Sequence, residues 1–91
     1  MKADHNNVSR LVRNAQGQLD AVLKMIEEDQ YCVDISTQLL AAQALLKSAN
    51  QQILEAHIRC CVSEAIESGT EAERTEKVEE ALQLMEKMAR G

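Results

Sequence analysis

An all-α fold is predicted, with three helices per chain and an antiparallel four-helix-bundle dimer. Three observations carry this. The 91 residues include no Pro, three Gly and a single aromatic, Tyr31, while Ala, Leu, Glu, Gln and Lys, all good helix formers, are abundant. Apolar residues recur at three- and four-residue spacing along nearly the whole chain. A chain this short with almost no aromatic side chains has a thin core by itself, and association is the usual remedy.

The first helix is expected from about Asn6 or Asn7 to Glu28, with Val8, Leu11, Ala15, Leu19, Val22 and Ile26 as one apolar stripe. Gly17 interrupts it at some cost without ending it. The polar run Glu27-Glu28-Asp29-Gln30 breaks the pattern, and a turn follows. The second helix is expected from Cys32 or Val33 to Glu67, with Asp34 as an early cap or dipole partner. Its seam, Ile35, Leu39, Ala42, Leu46, Ala49, Ile53, Ala56 and Cys60, is heptad-like, and Leu45, Leu54, Ile58, Val62 and Ala65 form a second line. Two apolar lines predict contact from more than one side. Gly69 reads as a left-handed stop. The third helix is expected from about Glu71 to Ala89, with Val78, Ala81, Leu82, Met85 and Met88 as its stripe. Residues 1–91 read as a single domain.

The net charge is −5, which argues against a strongly basic nucleic-acid binder. Residues 1–63 carry six Lys/Arg against seven Asp/Glu, and residues 64–91 carry four against eight, so the acidity is concentrated at the C-terminal end. No signal peptide and no membrane-spanning apolar run are read, and three Cys without an export signal suggest reduced thiols in a cytoplasm. No Gly-rich phosphate loop and no nucleophile–base–acid set point to an enzyme.

Chemistry concentrates in three residues. His57 and Cys61 are four apart on one helix face, and Cys32 lies 25 residues before His57. An imidazole and two thiolates are soft donors that suit Cu(I); Zn(II) would want a fourth group. At about 1.5 Å per residue, 25 helical residues span roughly 37 Å, so the three converge only between two chains. Antiparallel pairing of two second helices with Cys32 opposite residues 57–61 puts the two-fold axis near Leu45-Leu46, within the apolar seam. On spacing alone the His/Cys pair is a weak signal. Cys60 falls on the seam and reads mainly as packing, and His5 as a solvated residue of a loose N-terminus. Tyr31 either packs over a bundle end or stands behind Cys32.

Met25-Ile26-Glu27-Glu28-Asp29-Gln30-Tyr31-Cys32-Val33-Asp34 with Thr37-Gln38, then His57-x-x-x-Cys61-Val62, together with Gly17-Gln18, resembles the copper-sensing operon repressor family over nearly the whole chain. The resemblance implies an antiparallel dimer assembled into a tetramer. It also implies an apo form that represses by binding operator DNA, and release of copper-efflux genes when Cu(I) binds. Carried over, Cys32 of one protomer and His57 and Cys61 of another would hold Cu(I), with Tyr31 and a third-helix glutamate, Glu73 or Glu76, behind them. Nickel/cobalt relatives use His where Cys61 stands, and persulfide relatives lack the ligand His. Arg10 and Arg13, with Lys47, would meet DNA; Arg10-Leu11-Val12-Arg13 stands one residue further from Gly17-Gln18 than in the family pattern. Two other functions compete. One is a persulfide- or thiol-redox-responsive repressor using Cys32 and Cys61, and the other is a copper buffer that does not bind DNA.

Overall fold

A computed structural model describes residues 1–90, which form three helices: α1 (His5–Glu27), α2 (Cys32–Ser68) and α3 (Glu71–Arg90). Contacts divide the chain into two compact units. One is Asp4–Asn50, and the other runs from Gln51 onward and includes Met1–Ala3.

In the first unit, α1 begins earlier than expected because Asp4 caps it. The Asp4 carboxylate accepts from the amides of Asn6 (3.0 Å) and Asn7 (3.4 Å), and its carbonyl accepts from the Val8 amide (3.0 Å). His5 is therefore the first residue of a helix and not part of a loose terminus. Val8, Leu11, Ala15 and Val22 of the expected stripe are buried, as are Ala42 and Ala49 of α2. The larger buried side chains come from α1 and the smaller from α2. Leu19 and Ile26 share the α1 stripe but remain exposed.

The turn after α1 has a definite geometry. Glu28 is the C-cap, and Asp29 takes a left-handed φ of 49°. The Gln30 amide donates to the Met25 carbonyl (3.0 Å) and the Asp29 amide to that of Ile26 (3.1 Å). This double closure is a Schellman motif, with Asp in the position that glycine usually takes. Tyr31 then opens α2: its carbonyl accepts from the amides of Asp34 (3.0 Å) and Ile35 (3.2 Å). Asp34 lies in the first turn, where a carboxylate complements the helix dipole.

In the second unit, α2 and α3 form a helical hairpin with two residues between them. Gly69 is not a left-handed stop, since its φ is not positive. Its amide still donates to the Ala65 carbonyl (3.0 Å) in the helical manner. Glycine is needed there for space: a Cβ would lie 2.5 Å from the Ala65 oxygen and 3.2 Å from a Glu73 carboxylate oxygen. Thr70 caps α3, its carbonyl accepting from the Arg74 amide (2.9 Å) and its hydroxyl from that of Glu73 (3.2 Å). Ala65 is the buried apolar residue of this unit, and α3 buries none.

Two leucines of the α2 seam, Leu39 and Leu46, stay exposed in the single chain, as does Leu40 beside them. Leu39, Leu40 and Leu46 are 42%, 62% and 45% exposed. Among the described residues, no helix is long and apolar enough to cross a membrane.

Candidate metal centre

His57 and Cys61 lie on the part of α2 that pairs with α3. Helical spacing puts them on one face, and the Cys61 Sγ is 3.6 Å from both ring nitrogens of His57. The imidazole is held from the other side. His57 Nε2 donates to Glu80 Oε1 at 2.9 Å, and Glu80 Oε2 meets Lys77 Nζ at 3.5 Å. The hydrogen bond from His57, and then the nearby Lys77 ammonium, hold the Glu80 carboxyl below its ordinary value of 4.5.

This contact has a chemical consequence. A carboxylate accepting from Nε2–H leaves Nδ1 as the nitrogen with a free lone pair. An outer carboxylate that fixes the tautomer of a ligating histidine is a recurrent device of metal sites. Bonds of about 2.0 Å to nitrogen and about 2.3 Å to sulfur together exceed the 3.6 Å between Sγ and Nδ1, so one ion can touch both atoms. Sγ stands equally far from both nitrogens. The donor pair therefore fits a soft metal in type and in reach.

The resemblance points to Glu73 or Glu76 as the supporting glutamate, but the carboxylate that reaches His57 is Glu80. The hairpin explains the shift. Its two-residue link places residues at similar, not identical, distances from Gly69 opposite each other: His57 is 12 before it and Glu80 is 11 after it. By the same count Glu76 and Lys77 fall opposite Cys61. Glu73, Glu76 and Lys77 do line an open groove with Cys61, Glu64, Ala65 and Ser68.

The other expected site residues lie in the first unit. Cys32 is exposed as the first residue of α2, 25 positions before His57 on the same unbroken helix, and Tyr31 before it is 69% exposed. Arg10 and Arg13 are exposed three residues apart on α1, and Arg10 donates to the Asn7 side chain at 2.8 Å. Lys47 is exposed on α2. All three cysteines are free thiols, with Cys60 and Cys61 half-buried. Among the described residues of one chain, no three His, Cys, Asp or Glu side chains form a metal-binding group.

Three helices with a carboxylate-oriented imidazole beside a thiol define a small helical protein equipped for a soft metal. Comparison with known proteins agrees. Residues 4–87 match the metal-sensitive transcriptional repressor family, and the chain belongs to that family. It is 36% identical over 64 residues to the copper-sensing transcriptional repressor RicR of Mycobacterium tuberculosis, covering 70% of this chain and 67% of that protein. It is 36% identical over 66 residues to the copper-sensing transcriptional repressor CsoR of Bacillus subtilis (72% and 65%), and 41% identical over 58 residues to CsoR of Mycobacterium ulcerans (64% and 50%). The chain thus spans from half to two thirds of the length of these relatives. The crystal structure of the copper-sensing repressor CsoR with Cu(I) from Geobacillus thermodenitrificans superposes with a TM-score of 0.76 at 32% identity, over 92% of this chain and 84% of that one.

Proposed function

We propose that this chain is a Cu(I)-responsive transcriptional repressor of the cytoplasm, acting as one domain over residues 1–91. Its apo form binds operator DNA, and Cu(I) releases that DNA to derepress copper-efflux genes. The carrying observation is the Cys61–His57–Glu80 arrangement, in a chain whose relatives include copper-sensing repressors. Cu(I), when bound, draws thiolate and imidazole donors from separate helices to one point. His57 offers Nδ1 because Glu80 occupies Nε2–H, and Cys61 offers its thiolate. Cys32 of a second chain supplies the other thiolate, since about 1.5 Å of rise per residue keeps Cys32 of the same helix away. Tyr31 adjoins that second thiolate.

The dimer is an antiparallel four-helix bundle, and two dimers form a tetramer. The exposed seam residues Leu39 and Leu46 support this, because pairing of two α2 helices covers them. Arg10, Arg13 and Lys47, repeated by symmetry, supply positive charge for DNA phosphates. By linkage, a metal that weakens DNA binding must prefer the conformation with low DNA affinity. A carboxylate-oriented imidazole favours metal sensing over persulfide chemistry, which requires no such orientation.

Fluorescence anisotropy with promoter DNA tests the reading. Cu(I) is expected to lower the affinity at least about tenfold, within the usual range of allosteric coupling. Unchanged affinity at saturating Cu(I) would overturn it.

A further inference from the structure

The Glu80 carboxylate is shared. Oε1 takes His57 Nε2–H at 2.9 Å and Oε2 takes Lys77 Nζ at 3.5 Å. Because the two partners use different oxygens, Lys77 does not compete with His57. It fixes the second oxygen and so limits rotation of the carboxylate. Lys77 and Glu80 are three apart on α3 and share a face. Among the described residues, Lys77 is also the one cation lining the groove beside Cys61, where Glu64, Glu73 and Glu76 are its charged neighbours.

We propose that Lys77 is a positioning residue: it aims Glu80 at His57 Nε2 and thereby reserves Nδ1 of His57 for the metal. The inference rests on His57 being a ligand, as argued above. A Lys–Glu pair of this exposure is a modest restraint, so the effect is a change in populations and not loss of the site. Freed from Lys77, the Glu80 side chain samples rotamers that leave Nε2 without its acceptor, and the Nδ1–H tautomer gains population.

The test uses the full-length apo protein and its Lys77→Met and Lys77→Arg variants. The tautomer ratio of His57 is read by 15N–1H correlation of the imidazole nitrogens. Lys77→Met is expected to lower the ratio of Nε2–H to Nδ1–H about two- to fivefold, and Lys77→Arg to restore it. A similar fall in Cu(I) affinity for Lys77→Met is expected in competition with bicinchoninate. An unchanged ratio in Lys77→Met, or a ratio that Arg does not restore, overturns the proposal. The tautomer measurement involves no copper, so it decides the role of Lys77 even if the wild-type protein fails to bind Cu(I). That second failure would count against the functional reading alone.

Discussion

The two units are held together differently. Residues 4–50 bury Val8, Leu11, Ala15 and Val22 of α1 with Ala42 and Ala49 of α2, and both ends of α1 are closed by specific caps. Among the described residues from Gln51 onward, Ala65 alone of the apolar side chains is buried and α3 buries nothing, yet the His57–Glu80–Lys77 contacts lie there. Apolar burial is non-directional and resists small changes, whereas half-exposed polar contacts respond to charge and ligation. The contrast separates a scaffold from a region suited to respond.

Truncating one large apolar residue in each unit tests this most severely. Leu11→Ala should cost about 2–5 kcal/mol in thermal or urea unfolding, as buried leucines do. Leu82→Ala on α3, 59% exposed in the single chain, should change stability by less than about 0.5 kcal/mol. Equal costs would show that assembly covers the α3 face and would erase the distinction.

The hairpin offers the next largest effect. Gly69→Ala drives a Cβ against the Ala65 carbonyl, which is backbone and yields little, and about 1–3 kcal/mol of destabilisation is expected. In the first unit a glycine should help. Asp29 holds φ at 49°, and Asp29→Gly is expected to stabilise by about 0.5–1 kcal/mol in the same unfolding assay. Opposite signs for the two substitutions would sharpen the comparison, because glycine serves clearance at one turn and conformation at the other.

These turns also mark where the sequence was legible. Helical period located all three helices to within a residue or two, because Val8, Leu11, Ala15 and Val22 repeat on one face of α1 and Val78, Ala81, Leu82, Met85 and Met88 recur along α3. Composition could not distinguish the two roles of a glycine, so Gly69 read as a left-handed stop while Asp29, the residue that is left-handed, looked like one more charge. His57 and Cys61 were legible as a pair, since their proximity follows from four residues of helix. Glu80 was not, because its approach depends on how two helices register across Gly69-Thr70.

The smallest effect is on pH. Glu80 has a folded-state pKa below its ordinary value, so it binds a proton less readily in the folded than in the unfolded chain. Its contribution to stability is complete above the ordinary carboxylate range, near 4.5, and is lost as pH falls through the lowered value. Amide protection factors along α3, which divide out the intrinsic pH dependence of exchange, should fall over that window in the wild type and fall less in Glu80→Gln. Identical acid limbs would remove Glu80 from the forces holding this unit.

The central claim is that the metal centre is built from two chains, and subunit complementation tests it directly. Cys32→Ala and Cys61→Ala proteins should each lose high-affinity Cu(I) binding. When unfolded together and refolded, a mixed dimer retains one complete site, made of Cys32 from one chain with His57 and Cys61 from the other. High-affinity binding should then return at up to one Cu(I) per mixed dimer. No recovery in a mixture shown to contain mixed dimers, or full binding by the Cys32→Ala protein alone, would contradict the account.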